Sequence, residues 1–223
     1  MHLELFVSAI LKMLIGILLV GTLIFLPAGT FCYPNGWLFM AVLFVPVFLA
    51  GIVMMIASPC RLEKRLSAKE KSKEQRQVIS ASALMFLVGF VLAGLGVRFG
   101  WYRLPYLVSV IGAIVLLISY GLYAVVLYQN PFLSRTVEVF ENQRVIDTGL
   151  YSVVRHPMYG ATLLLFLAMP LVLGSLYAFI VFLVYPALII KRIHYEERLL
   201  KKELPGYKEY CKKVKYRLVP FIW

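Results

Sequence analysis

Long runs of apolar residues are the feature that most constrains this chain. Four of them lie near positions 13–33, 37–58, 79–97 and 105–127, and a longer one extends from Met158 to Ile190. A helix of about 20 consecutive apolar residues is long enough to cross the hydrocarbon core of a bilayer. We therefore predict an all-α integral membrane protein with five to six transmembrane helices.

The composition supports a membrane protein. Hydrophobic residues make up 61% of the chain and charged residues 15%, whereas a soluble domain carries about 25% charged residues. The net charge of +12 is compatible with nucleic-acid binding. However, the basic residues lie between apolar runs, where cytoplasmic loops of membrane proteins carry Lys and Arg. We therefore predict no nucleic-acid partner, but contact with membrane lipids.

The distribution of lysine and arginine predicts the orientation. Twenty-one of the 23 lie in the N-terminal leader, in residues 60–77, in residues 128–157 or after Ile190, and the other two lie in residues 98–105. The positive-inside rule then places both termini and residues 128–157 in the cytoplasm. The membrane is expected to be the plasma or inner membrane of a prokaryote, or the endoplasmic reticulum of a eukaryote. The charge run at 60–77 is predicted to be a solvated loop attracted to anionic lipids.

The last apolar run is too long for one simple span. Met158–Ile190 comprises 33 residues without a formal charge, which as one helix would measure about 50 Å, against a hydrocarbon core of about 30 Å. A helical hairpin that reverses at Gly174-Ser175 fits the bilayer and returns the basic tail to the cytoplasm. Pro170 and Pro186 can kink its two arms. The alternative is a single long tilted helix.

A hairpin would bring polar residues at its two ends onto one surface. Arg192 and Glu196 are four residues apart and share a helix face, while Glu197 points about 100° away. The spacing alone fits a surface ion pair, but charges near a membrane interface need partners or ligands.

At the other end of the hairpin, Arg155 can be an interfacial anchor. Pro157 suits the first turn of a helix, so His156 would lie at a helix N-terminus, where free N–H groups attract anions. The three histidines lack the spacing of a metal site, and we predict no metal. Residue chemistry thus indicates a cytoplasmic site for an anionic or lipid-like ligand, without naming a reaction.

The motifs "GLYSVVRHPMYG" and "RIHYEERLLKKELPGYKEY" resemble the isoprenylcysteine carboxyl methyltransferase family and its phospholipid methyltransferase relatives. The resemblance covers about residues 128–223, which we treat as a cofactor-binding region after a scaffold of transmembrane helices at 1–127. The residues that match the family pattern are Gly149, Tyr151, Arg155, His156, Pro157, Tyr159, Gly160, Arg192, Glu196, Glu197, Leu200, Tyr207 and Tyr210.

This resemblance implies methyl transfer from S-adenosylmethionine to a lipid-like or prenylated acceptor. By the resemblance, Arg192 is the catalytic residue that holds the acceptor carboxylate. The cofactor-binding residues it implies are Glu138, Gln143, Arg144, Val145, Ile146, Tyr151, His156, Pro157, Met158, Tyr159, Glu196 and Glu197.

Three other functions stay open from the sequence. The acceptor can be an amine, as in phospholipid N-methylation. Sterol-reductase-type proteins have a related C-terminal architecture and use a nicotinamide cofactor. The polar residues can also be mere anchors in a membrane protein without catalytic activity.

Overall fold

The computed structural model describes residues 2–59, 62–63, 66, 72–134, 136 and 138–223. These residues form α-helices and no β-strand, although one antiparallel bridge pairs Arg103 with Ser175. A short 3-10 helix spans Gly149–Ser152. The α-helices described are α1 (His2–Ala28), α2 (Pro34–Ala57), α3 (Lys73–Arg98), α4 (Tyr106–Gln129), α5 (Pro157–Val172), α6 (Leu176–Phe182), α7 (Tyr185–Glu203) and α8 (Tyr207–Lys213). The predicted all-α class is confirmed.

Five helical stretches within the described residues are long and apolar enough to cross a membrane: α1, α2, α3, α4 and the combined α6–α7 stretch Leu176–Glu203. The apolar helix α5 is shorter, with 16 residues. Large apolar side chains point away from the bundle, including Leu26 at 72% and Ile56 at 80% exposure. Such a surface suits lipid rather than water. The prediction of five to six membrane helices is confirmed.

Two predicted helix starts are too late in the chain. The helix α1 begins at His2 rather than near residue 13, because residues 2–12 contain neither Gly nor Pro to interrupt it. The helix α3 begins at Lys73 rather than 79, since Ser72 caps it by accepting a hydrogen bond from the Gln75 N–H at 3.4 Å. The end of the 60–77 charge run is therefore helical, whereas half of the predicted loop lies outside the described residues.

The predicted hairpin is confirmed, and the single long helix is wrong. The chain reverses at Gly174, whose φ of +68° favours glycine. A Cβ at Gly174 would lie 2.6 Å from the Asn35 amide nitrogen. The Leu104 N–H donates to the Gly174 carbonyl at 2.9 Å, so the turn lies level with the loop that joins α3 and α4.

The returning arm of the hairpin is itself interrupted. The helix α6 ends at Phe182, and α7 begins at Tyr185 with Pro186 in its first turn. Proline cannot donate the backbone hydrogen bond that would continue the helix, and its ring crowds the carbonyl four residues earlier. The kink predicted at Pro186 is thus a break between two helices.

Close packing holds α5 at the centre of the bundle. The helix α4 packs along α5, where a Cβ at Gly112 would lie 3.0 Å from the Val172 nitrogen. On the other side, the Phe182 ring of α6 lies 5.4 Å from Phe86 and 6.0 Å from Phe90 of α3, measured between ring centroids. The end of α5 is therefore packed against α4, and the helix α6 that follows it is packed against α3.

The charged segments gather at one end of the bundle. Arg198 of α7 forms an ion pair with Glu74 of α3 at 3.0 Å, and the Lys12 ammonium donates to the Leu66 carbonyl at 2.8 Å. At the opposite end, the Tyr33 hydroxyl donates to the Leu173 carbonyl next to the hairpin turn at 2.5 Å. We call the first the polar end. That the polar end faces the cytoplasm stays a prediction.

Candidate functional site

Tyr159 joins the two predicted polar residues of α7. The Arg192 Nε donates to the Tyr159 hydroxyl at 2.9 Å, and that hydroxyl donates to the Glu196 carboxylate at 2.5 Å. Tyr159 lies in the first turn of α5 and is 4% exposed. The hairpin thus brings residues more than 30 positions apart into one hydrogen-bonded chain.

The N-terminus of α5 is held by the C-terminal segment. His156 is the N-cap residue and Pro157 occupies the first turn, as predicted. The Arg155 and His156 N–H groups donate to the Tyr216 and Arg217 carbonyls at 3.0 and 2.9 Å. These backbone bonds fix the entry to α5 against a segment some 60 residues later.

The anion site predicted at this helix terminus is less open than the sequence suggests. Pro157 has no N–H, and the N–H groups of Tyr159 and Gly160 both donate to the His156 carbonyl. First-turn N–H groups bind an anion only where they point to a ligand. This terminus therefore offers fewer backbone donors than the pattern indicated.

Glu197 is a buried carboxylate at the centre of a cluster of basic side chains. Its carboxylate lies 2.9 Å from the Arg155 Nε, 3.4 Å from the His156 Nε2 and 3.2 Å from the Arg217 Nε. Lys201 adds a fourth, more exposed contact at 3.4 Å. Glu197 is 3% exposed, and a carboxylate buried so deeply needs such partners. The cluster ties α7, the start of α5 and the C-terminal segment together.

The position of Arg155 corrects the idea that it is an interfacial anchor. Arg155 is only 8% exposed, whereas a snorkelling side chain keeps its charged head in water. Its guanidinium contacts the buried Glu197 as an ion pair rather than as a well-aligned hydrogen bond. Arg155 is thus a part of the protein interior.

The 3-10 helix supplies one wall of the site. Gly149 begins it with a φ of +59°, and a Cβ there would lie 2.5 Å from the Gln129 side chain, so glycine is required. Tyr151 accepts a hydrogen bond from the Asn130 amide at 3.0 Å, and its carbonyl accepts one from the Tyr210 hydroxyl at 2.7 Å. Burial raises the pKa of Tyr151 to about 12, so the phenol stays protonated.

These elements surround a cleft with about 810 Å³ of space outside the protein atoms, part of it open to solvent. Arg192 lines it, together with all the predicted cofactor-binding residues except Pro157 and Glu197. Pro157 shapes the helix start, and Glu197 lies behind the wall. The lining residues that were not assigned to the cofactor from the sequence are Asn130, Phe132, Leu133, Ser134, Thr136, Arg155, Leu200, Leu204, Tyr207 and Tyr210.

Residues before the 3-10 helix form the outer part of the cleft. The Glu138 carboxylate accepts hydrogen bonds from the hydroxyls of Ser134 and Thr136. The Gln143 amide oxygen accepts one from the Phe140 N–H at 2.9 Å. These irregular segments carry no periodic pattern, so the sequence offered no signal for Ser134 or Thr136.

Tyr207 presents a hydroxyl that the described protein groups leave without a hydrogen-bond partner. The side chain is 4% exposed and lines the cleft. Burial raises the pKa of the Tyr207 phenol far above its usual range, and the nearby carboxylates Glu197 and Glu196 act in the same direction. A buried donor without a partner is costly unless a ligand or water satisfies it. The Tyr207 hydroxyl is therefore a donor in the cleft wall that the described protein groups leave unused.

Two comparisons with known proteins give matches, and the first covers most of the region that builds the cleft. Residues 107–205 match the family model described as phospholipid methyltransferase. A curated relative, a Delta(14)-sterol reductase of Mus musculus, is 31% identical over 91 residues, which cover 40% of this chain and 22% of that protein. The chain thus spans only about a fifth of the length of this relative. The family match supports a relationship with the phospholipid methyltransferase superfamily over α4 to α7, which contain His156, Tyr159, Arg192 and Glu196.

Proposed function

We propose that this chain is a membrane methyltransferase that uses S-adenosylmethionine and methylates a carboxylate of an isoprenylcysteine-like or other lipid-like acceptor. The observation that carries the proposal is the Arg192–Tyr159–Glu196 chain in a cleft at the polar end of membrane-spanning helices. This cleft lies largely in the region that matches the phospholipid methyltransferase family model.

The cleft residues fit the chemical groups of S-adenosylmethionine. The Glu196 carboxylate is suited to an ammonium or to ribose hydroxyls, and the unpartnered Tyr207 hydroxyl can donate to an oxygen or a ring nitrogen. Tyr151 and Met158 supply apolar surface for a base and a thioether. When bound there, the cofactor would supply an electrophilic methyl group.

Arg192 is the residue proposed to hold the acceptor. Its guanidinium carries a permanent charge, and the bond from its Nε to Tyr159 fixes its orientation in the cleft. A carboxylate is ionised at neutral pH and needs no general base. The protein then contributes mainly by placing the two reactants in line and excluding water.

The surrounding helices suit an acceptor with a lipid tail. The arms of the hairpin are apolar, and several large side chains face outward, among them Leu164 at 44% and Ile180 at 57% exposure. An acceptor anchored in the bilayer can thus present its polar end at the level of Arg192 without leaving the membrane.

The test is transfer of a labelled methyl group by purified protein in lipid nanodiscs. Substrates would include a farnesylcysteine analogue, phosphatidylethanolamine and a mock lipid without a nucleophile. We expect methyl-ester formation on the prenylcysteine only. If calorimetry detects no binding of S-adenosylmethionine, the whole proposal is wrong. If the cofactor binds but no methyl group is transferred to the prenylcysteine, the proposed acceptor is wrong.

Variants of α7 separate the two binding roles. We expect Glu196→Gln to weaken cofactor binding, and Arg192→Ala to raise the acceptor KM while leaving cofactor binding close to normal. Arg192→Lys should restore only a part of the acceptor affinity, because lysine lacks the planar fork. Lys202→Ala, an exposed change on the same helix, is the matched control and should leave both constants unchanged.

An amine acceptor is a second candidate, favoured by the phospholipid methyltransferase match. An amine must lose a proton before it accepts a methyl group, so its methylation rate should rise with pH toward the amine pKa. Carboxylate methylation should stay flat over the same range above the carboxylate pKa. The pH profile of the labelled transfer therefore distinguishes the two acceptors.

A nicotinamide-dependent reductase is the third candidate, favoured by the similarity to a Delta(14)-sterol reductase. Titration with the reduced nicotinamide cofactor, followed by its fluorescence, tests this directly. Saturable binding that S-adenosylmethionine does not displace would favour the reductase over the methyltransferase.

A further inference from the structure

A second pocket lies between the first turns of α3 and the middle of α7. It contains about 540 Å³ of space outside the protein atoms, including the part open to solvent. The described residues that line it include Glu74, Gln75, Lys191, His194 and Arg198. The α7 residues among them lie on a different helix face from Arg192 and Glu196, so this α3–α7 pocket is separate from the cleft.

Gln75 is a buried polar residue in the wall of the α3–α7 pocket. The residue is 1% exposed, and neither its amide oxygen nor its amide nitrogen has a hydrogen-bond partner among the described protein groups. Buried amides are almost always hydrogen-bonded. A fully buried amide in a pocket wall, with neither atom partnered by the described protein groups, can pair with a ligand that offers an acceptor and a donor together.

The charges around Gln75 favour an anionic ligand. Lys191 and Arg198 carry positive charge, and Glu74 carries the one formal negative charge among the described lining residues. The ion pair between Arg198 and Glu74 is 71% and 53% exposed at its two side chains, so solvent screens it. The helix dipole adds positive potential at the start of α3.

The helices that form the walls of the pocket favour a lipid over a free anion. Both walls belong to candidate membrane spans, Glu74–Arg98 and Leu176–Glu203. Ile79 and Ile190, the chain neighbours of the lining residues Val78 and Lys191, are 44% and 40% exposed. Such apolar surface suits acyl chains below a headgroup, whereas a free phosphate would gain nothing from it.

We propose that the α3–α7 pocket binds the phosphate headgroup of an anionic membrane lipid. Lys191 and Arg198 attract the phosphate. On binding, the Gln75 side chain turns into the pocket, so that its amide nitrogen donates to a phosphate oxygen and its amide oxygen accepts from a headgroup hydroxyl. Phosphatidylglycerol carries both groups and serves as the probe. The inference does not rest on the proposed function, because it concerns a different pocket and a different ligand.

The test compares lipid binding by the full chain purified in detergent. Short-chain phosphatidylglycerol, short-chain phosphatidylcholine and inorganic phosphate are added separately, and bound adducts are counted by native mass spectrometry while unfolding is followed by thermal shift. We expect phosphatidylglycerol to bind and to raise the unfolding temperature, and the other two to do so much less. Equal binding of phosphatidylcholine, or a full effect of inorganic phosphate, overturns the proposal.

Variants locate the lipid in the pocket. Gln75→Leu should raise the unfolding temperature without lipid, because it removes a buried unpartnered amide, and should lower phosphatidylglycerol affinity by about tenfold or more. Lys191→Gln, an exposed change expected to fold, should lower it as well. Lys212→Gln removes the same charge from an exposed position of α8 and should have no effect. Unchanged affinity in both Gln75→Leu and Lys191→Gln overturns the site.

Discussion

The N-terminal helices and the cleft region are stabilised by different interactions. Helices α1 to α4 pack through apolar and aromatic side chains and through glycines, such as Gly94, whose Cβ would lie 2.4 Å from the Ile24 carbonyl oxygen. The cleft region is held by buried charges around Glu197 and by backbone bonds to the C-terminal segment. Close packing therefore stabilises the first region, whereas the pairing of buried charges stabilises the second.

The largest effect should come from removing the charge at the centre of the second region. Glu197→Gln keeps the side-chain size but leaves Arg155 and Arg217 without their counter-ion. Breaking a buried ion pair in this way should cost about 3–5 kcal/mol of the free energy of unfolding. Chemical denaturation in detergent measures the loss.

Glu196→Gln is the matched control for that change. Glu196 is more exposed than Glu197, with 23% against 4% of its side-chain surface accessible, and its loss should chiefly affect binding in the cleft. If Glu197→Gln is as stable as the wild type, the ion pairs of Glu197 do not stabilise this region.

A smaller effect is expected from adding one methyl group in the first region. Gly94→Ala places a Cβ against the backbone of α1, which cannot move aside as a flexible side chain would. Overpacking of this kind should cost about 1–3 kcal/mol. Gly51→Ala, where nothing lies within 4 Å of the added Cβ, is the control; a similar loss at both positions would show that close packing at Gly94 is not the cause.

Tyr207→Phe tests the cleft without disturbing its charges. The lost hydroxyl has no partner in the described protein, so stability should be unchanged or slightly higher. Affinity for S-adenosylmethionine should fall by about tenfold, as for the loss of one ligand hydrogen bond. Titration calorimetry measures the affinity and thermal unfolding the stability.

Tyr210→Phe provides the contrast on the same helix. The Tyr210 hydroxyl already donates to the Tyr151 carbonyl at 2.7 Å, so its removal should cost about 1 kcal/mol of stability. Loss of stability in Tyr207→Phe comparable to that in Tyr210→Phe would argue that the Tyr207 hydroxyl is structural.

The smallest effect concerns an exposed ion pair at the edge of the cleft region. The Lys213 ammonium donates to the Asp147 carboxylate at 2.8 Å, and this hydrogen bond and the charge of Lys213 lower the pKa of Asp147. A lowered folded-state pKa adds stability above the unfolded-state pKa, and this contribution disappears as the pH falls through the folded-state pKa.

Asp147→Asn should therefore lower the unfolding temperature slightly near neutral pH and not at all in strong acid. Salt should reduce the difference, because the pair is exposed. Unfolding temperatures of both proteins across an acid titration give the result. A difference that grows toward acid would contradict the direction of the pKa shift.

Much of the fold was predictable because the bilayer imposes length and polarity on each segment. The apolar runs located the spans, and the 33-residue run was too long for one crossing, so the turn at Gly174 could be inferred. The break before Pro186 was only partly anticipated, because a proline can either kink a helix or end it, and packing decides which.

The site was predictable where residues share one helix face and unpredictable where they meet through the fold. The pairing of Arg192 with Glu196 followed from helical spacing. The contact of Glu197 with Arg217 did not, because no local pattern relates α7 to the C-terminal segment. Arg155 was misjudged for the same reason, since burial depends on what covers a residue.

The sequence by itself determined the membrane class, the hairpin and the helix face that carries Arg192 and Glu196, because these follow from hydrophobicity and helical periodicity. Only the tertiary structure decided that Glu197 neutralises the buried Arg155, and that Tyr207 and Gln75 find no hydrogen-bond partner among the described protein groups. Whether a buried polar group has a hydrogen-bond partner depends on all the groups around it in space, and those groups come from distant parts of the chain.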